Sequence, residues 1–132
     1  MRSTRQIPVI LIAVIIVLVS CQGKKTAKEL VIRKWKITEM SGKGVADMPD
    51  SAKQRMYKDA TMEFLKDGKF ITSGMDNGDK TGTYSITDDG KTMISTNEGD
   101  TYSDTLNILE ITTDRLVVED NKGIVKVVFK AK

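Results

Sequence analysis

Reactive side chains are few in this 132-residue chain. Histidine is absent and Cys21 is the single cysteine. Without histidine there is no imidazole base, no Ser-His-Asp triad and no imidazole zinc ligand. A lone thiol cannot form a disulfide within the chain or build a thiolate metal site. Hydrolytic chemistry would fall to paired carboxylates or a lysine nucleophile. The carboxylates lie mostly in turn motifs. Asp76-Asn77-Gly78-Asp79 crowds oxygen ligands around a glycine, loosely like a calcium loop. It lacks the helix-flanked frame and the distal bidentate glutamate, and reads as a hairpin turn. Asp88-Asp89-Gly90 and Glu98-Gly99-Asp100 read the same way. Glu63, Asp104 and Glu110 fall within strand-like segments, where a solvated outer face is expected. One of them turned inward would be a candidate functional group, because a buried carboxylate needs a partner. The expectation is a non-enzymatic protein without cofactor or metal.

Cys21 carries the clearest chemistry. Arg2 and Arg5 precede an almost wholly apolar run from Ile7 to Val19, and Ser20 stands before the cysteine. That is the layout of a secretory signal. The run makes about 20 Å of helix, whereas a membrane span needs about 20 apolar residues. Gln22-Gly23-Lys24-Lys25 ends it at once. Leu18-Val19-Ser20-Cys21 resembles the lipobox of bacterial lipoproteins. The resemblance implies removal of residues 1–20, a diacylglyceryl thioether on Cys21 and acylation of the new amine. Acyl chains at about 0.8 kcal/mol per buried CH₂ would hold the protein on a membrane permanently. Residues 21–28 then read as a lipidated tether and 29–132 as one domain. Under the sorting rules of such lipoproteins, Gln22 after Cys21 implies the bacterial outer membrane. No acidic patch follows, which favours the periplasmic face over the cell surface.

Charge excludes one class of partner. Loss of Arg2 and Arg5 takes the formal +3 to +1. That balance does not support a nucleic-acid partner. Lys24, Lys25, Lys28, Arg33, Lys34 and Lys36 nevertheless cluster early, and Lys126, Lys130 and Lys132 late. A basic end near the anchor would favour anionic headgroups; solvated strand faces account for the same residues.

The elements that must position these groups are short and closely punctuated. Asp67-Gly68, Asn77-Gly78, Asp89-Gly90, Glu98-Gly99 and Asn121-Lys122-Gly123 are turn signatures. Between them lie segments rich in Val, Ile, Thr, Tyr and Phe. Strands are predicted over 30–40, 60–66, 69–75, 80–87, 91–96, 102–111, 115–120 and 123–130. In the last, Val125, Val127 and Phe129 face one way and Lys126 and Lys130 the other. In the sixth, Leu106 and Ile108 point oppositely to Leu109 and Ile111, which predicts a bulge or burial on both faces. Residues 41–59 form the one long connection. Ser41-Gly42-Lys43-Gly44 reads as flexible. Asp50 or Ser51 can cap a short helix to about Asp59, with Met48, Ala52 and Met56 on one stripe. Consecutive strands joined by tight turns pair antiparallel, and closure removes the exposed edges. The expected fold is an all-β, eight-stranded up-and-down barrel with one short helix between the first and second strands.

Lys34-Trp35-Lys36-Ile37, Met62-Glu63-Phe64 with Asp67-Gly68-Lys69-Phe70, Gly82-Thr83-Tyr84-Ser85-Ile86 and Asp89-Gly90-Lys91-Thr92 together resemble the small lipocalin-like lipoproteins of Gram-negative bacteria. The resemblance spans roughly residues 29–130. It implies a barrel with an apolar cavity and names no ligand. Lipocalins carry Gly-x-Trp here, and Arg33 replaces the glycine. They commonly cover this Trp with an arginine from the closing region, where Arg115 is the only arginine late enough. Met48, Met56, Phe64, Phe70, Tyr84 and Phe129 are the candidate ligand-lining residues, and Trp35 the structural plug of the closed end. The expected function is a lipid-anchored envelope protein holding a small apolar or amphipathic ligand, with the helix as lid. A filled barrel that contacts another envelope protein is the alternative.

Overall fold

The computed structural model describes residues 25–75 and 78–132. The expected signal, Cys21 and the Asp76-Asn77 half of the expected hairpin turn lie outside the described residues. Eight strands close into one antiparallel barrel in sequence order: β1 Lys34–Ser41, β2 Thr61–Phe64, β3 Lys69–Ser73, β4 Lys80–Ile86, β5 Thr92–Asn97, β6 Asp104–Ile111, β7 Arg115–Asp120 and β8 Lys126–Ala131. Closure comes from β1 pairing with β8, Trp35 opposite Ala131 and Ile37 opposite Phe129. Every strand therefore has two neighbours, and no row of backbone donors is left to template aggregation.

Two irregularities shape the wall. The β6–β7 register shifts between Ile108 and Glu110. This is the bulge expected from the sequence. It leaves Leu109 exposed and lets Leu106, Ile108 and Ile111 all pack against the core. A second shift lies between Ile37 and Glu39 on β1, after which Met40 rather than Glu39 joins the core. At Gly82 neighbouring groups approach the wall closely. A Cβ there would lie 2.6 Å from the Phe70 ring and 2.2 Å from the Thr96 carbonyl oxygen, so only glycine fits.

The barrel has unlike ends. One gathers the turns β2–β3, β4–β5 and β6–β7 and is sealed by the incoming chain. There α1, Ala27–Leu30, is one turn of helix whose Thr26 side chain accepts from the Glu29 amide. Ala27 and Lys28 had read as tether. The helix forms because Thr26-Ala27-Lys28-Glu29 has the spacing of a capping box and is built from good helix formers. It delivers Val31, fully buried, beneath the barrel, and β1 starts at Lys34 rather than near residue 30.

The other end carries the long connection. α2 runs Asp50–Tyr57 with Pro49 at its N-cap and no side-chain cap. Neither Asp50 nor Ser51 takes the capping role expected of it. Asp50 instead lies in the first turn, where a negative charge suits the helix dipole. Gly42-Lys43-Gly44, expected to be flexible, is pinned: the Gly44 amide donates to the Ile124 carbonyl at 3.0 Å. Gly42 has φ +110°, and a Cβ on it would lie 2.3 Å from the same oxygen. The glycines serve close approach, not mobility.

Candidate functional site

The closed half of the barrel is packed solid. Trp35, Phe64, Met93, Leu116 and Val31 are the largest fully buried side chains. The Trp35 indole N–H donates to the Val31 carbonyl at 3.0 Å. The Arg33 guanidinium stacks over the indole, 5.5 Å from the ring centroid, and donates to the Thr113 carbonyl. Arg33 stands just before β1, where its carbonyl accepts from the Phe64 amide, so the strand's alternation extends to it and places it on the side of Trp35. Arg115, the only arginine late enough in the chain to cover Trp35 from the closing region, meets Glu110 on the outer surface at 3.4 Å. The residue that replaces the glycine of Gly-x-Trp thus does the covering itself. Above this floor, Phe64 packs edge-on against Tyr84 with centroids 4.8 Å apart, and lies 6.2 Å from Phe70. The Tyr84 hydroxyl donates to the Leu65 carbonyl at 2.7 Å. Burial, reinforced by Asp67, raises its pKa above the ordinary tyrosine value.

The mouth half is open. A cleft of about 770 Å³ is lined by inward residues of β2, β3, β5 and β6 and by the β7–β8 turn. Along each strand the inward register changes character from floor to mouth. On β3 Phe70 gives way to Thr72; on β5 Met93 gives way to Ser95 and Asn97; on β7 Leu116 and Val118 give way to Asp120. On β6 the same sequence runs from Ile108 through Leu106 to Asp104. Thr72 and Ser95 are buried polar residues that take no part in the side-chain hydrogen bonds among the described residues. Lys80 and Lys122 stand at the rim. The Asp120 carboxylate accepts from the Ile124 amide at 2.6 Å and from the Val125 amide at 2.8 Å. The Val125 N–H, then those of Ile124 and Lys122, hold its pKa below the usual carboxylate value. A carboxylate committed in this way anchors the β7–β8 turn. Among the described residues no cluster of three or more His, Cys, Asp or Glu side chains is placed to hold a metal.

An eight-stranded closed barrel with a Trp-plugged floor and an open mouth limits the family narrowly. The model of the lipocalin-like domain family matches residues 31–118. The chain belongs to the lipocalin-like domain family. Two solved structures share the fold at low identity. A DUF4847 family protein from Bacteroides vulgatus superposes with a TM-score of 0.58 at 15% identity, covering 78% of this chain and 94% of its own. An uncharacterized protein from Bacteroides eggerthii superposes at 0.56 and 18% identity, covering 77% and 99%. No curated protein matches the chain.

The lipocalin-like barrel distributes the six candidate lining residues over three places. Phe70 lines the cleft. Phe64 and Phe129 are buried in the core, and the half-buried Tyr84 packs against it. Met48 and Met56 are half-buried on the long connection and touch neither. Of α2, only Tyr57 packs on the core, and none of its residues lines the cleft, so the helix lies beside β1 rather than over the mouth. Among the strand carboxylates, Asp104 reaches the cleft, and Glu110 pairs with Arg115 outside. The cleft residues that went unmarked in the sequence are mostly polar: Thr72, Ser95, Asn97 and Asp120. Their signal was available, since Thr72, Ser95 and Asp120 each lie two residues beyond a core residue on their strands and Asn97 two beyond Ser95. A separate groove of about 620 Å³ runs along β3–β5, with Ile71, Thr81, Thr83 and Thr96 in its lining.

Proposed function

We propose that this protein is a non-catalytic lipoprotein of the bacterial outer membrane, anchored through Cys21 on the periplasmic face, that binds one small amphipathic molecule in the mouth of its barrel. The supporting observation is the cleft of about 770 Å³ over a packed apolar floor. Its size falls within the roughly 300–1,000 Å³ of small-molecule sites. The gradient from Phe70 and Leu106 to Thr72, Ser95 and Asn97 suits a ligand whose apolar part points down and whose polar part stays at the rim. Among the described residues every core residue comes from Ala27 or later, so a lipid-free chain of residues 24–132 keeps all of the cleft lining.

That chain is expected to bind a fluorescent fatty-acid analogue in a one-to-one ratio. Ser95→Trp, which places an indole in the cleft, should abolish binding and leave the circular dichroism spectrum unchanged. Failure to bind any of a broad panel of apolar and amphipathic dyes would sink the reading. A second reading, an envelope-protein interaction module, draws support from the β3–β5 groove. Binding of the dye panel that survives Ser95→Trp would favour it.

A further inference from the structure

We infer that the closed end of the barrel is a docking face for an anionic bilayer surface, so that the mouth opens away from the membrane. The inference rests on the Cys21 anchor. The chain enters the barrel at the closed end, where Thr26 caps α1. Four residues lie between Cys21 and Thr26, so five Cα–Cα steps give a reach of at most about 18 Å. The longest strands have eight residues, which at about 3.3 Å per residue and the usual barrel tilt give a height of roughly 20 Å. The tether therefore keeps the barrel against the membrane. By its length alone it would allow the barrel to stand on its closed end or lie on its side, and it falls just short of letting it stand on its mouth.

Charge selects among these. The closed end exposes Lys25, Lys28, Lys34, Lys66, Lys91 and Lys132 against Glu29, Asp67, Asp88, Asp89 and Asp114. The opposite end is the acidic one. Around it stand Asp47, Asp79, Glu98, Asp100, Asp104 and Glu119, against Lys43, Lys80, Lys122 and Lys126. The first set carries a net +1 and the second a net −2, so an anionic surface favours the closed end over the mouth. The closed end also has a place for a headgroup. Lys28 and Lys66 border a hollow of about 280 Å³ with Ile32 beside them, an isoleucine that stays 38% exposed. Two ammonium groups beside an apolar side chain complement a phosphate joined to a glycerol backbone. Lys28 also pairs with the fully exposed Asp88 at 2.7 Å, a contact that a headgroup phosphate can replace.

The orientation has a consequence for exchange. With the closed end on the bilayer, the cleft faces the aqueous space, and ligand enters from solution or from another protein rather than sideways from the lipid.

Lysine acetylation of the lipidated full chain, read residue by residue by mass spectrometry, tests this. In vesicles of phosphatidylglycerol and phosphatidylethanolamine, Lys66, Lys91 and Lys132 should react roughly fivefold more slowly than in detergent. Lys43 and Lys122 should keep their rates. In phosphatidylcholine vesicles the protection should fall away. The double variant Lys66→Glu/Lys91→Glu should lose the protection of Lys132. Uniform reactivity, protection of the mouth lysines, or protection of Lys132 that ignores both lipid charge and the double variant would overturn the inference. The intact mass of the purified protein tests the anchor separately. If Cys21 proves unmodified, that reading fails. Coupling its thiol to a maleimide phospholipid then supplies the same tether, and the orientation is read on that material.

Discussion

Replacing Arg33 by alanine tests how the barrel floor is held. The side chain makes two contacts: its guanidinium lies 5.5 Å from the Trp35 ring centroid and donates to the Thr113 carbonyl. The stack contributes about 1 kcal/mol, and a hydrogen bond from a charged donor about 1.5–3 kcal/mol. Against this stands a cost already present, because the Arg33 Nε is buried without a partner. Its desolvation offsets about 1 kcal/mol or more. The net loss on Arg33→Ala is therefore about 2 kcal/mol. With a urea slope of roughly 1.5 kcal/mol/M for a domain of this size, the midpoint should fall by a little over 1 M. Trp35 is the only tryptophan, so its fluorescence reports unfolding from within the site under test.

Two companion variants sharpen the result. Arg33→Lys keeps the charge but loses the planar fork and the stack, so it should recover less than half of the loss. Arg115→Ala removes an arginine whose side chain is 55% exposed beside a Glu110 that is 46% exposed. Screened by solvent, that pair should be worth about 0.5 kcal/mol or less. Equal midpoints for Arg33→Ala and Arg115→Ala, or full rescue by lysine, would refute the assignment of Arg33 as the cover of the floor.

Two further perturbations address the wall and the mouth. Gly82→Ala places a methyl 2.2 Å from the Thr96 carbonyl oxygen and 2.6 Å from the Phe70 ring. It should cost about 2–3 kcal/mol in chemical denaturation, and a loss under about 0.5 kcal/mol would show that the close approach is not enforced there. Asp120 has its pKa lowered in the fold by the amides of its own turn. Its stabilisation is thus complete above the unfolded value of about 3.9 and is lost as pH falls through the lower folded value. Asp120→Ala should flatten the acid limb of stability against pH below about pH 4, whereas an unchanged limb would show that the turn does not depend on that carboxylate.

The fold was legible because barrel strands advertise themselves. Val127 and Phe129 alternating with Lys126 and Lys130 mark β8, and Asp-Gly and Glu-Gly pairs mark the turns. The Leu106-to-Ile111 pattern even carried the bulge, because two inward residues in the wrong phase require an extra residue between them. Elements without a period were harder. α1 is four residues long, too short for any helical periodicity, and only its capping-box spacing announces it. The Gly42-Lys43-Gly44 segment reads as loose by composition, yet it is held by a partner, Ile124, that lies far along the chain.

The site was less legible than the fold for a different reason. Alternation tells which residues point inward, but not how far each stands from the floor. That height follows from strand stagger, which is a property of all eight strands together. Phe64 and Phe70 share a hairpin and an inward face, yet one is core and the other also wall. Selecting the large apolar residues therefore finds the floor. The cleft begins where the inward register turns polar, as at Thr72 after Phe70, Ser95 after Met93 and Asp120 after Val118. Three strands that run from floor to mouth make this change at their far ends, and β6, which runs the other way, makes it at its start with Asp104. On the inner face of four strands, hydroxyl, amide and carboxylate groups gather at one end only, and those not held by the fold, as Asp120 is by the amides of its own turn, must find water or another partner. The polarity gradient along the barrel axis, more than any single aromatic residue, is what distinguishes the open end of this barrel from its packed end.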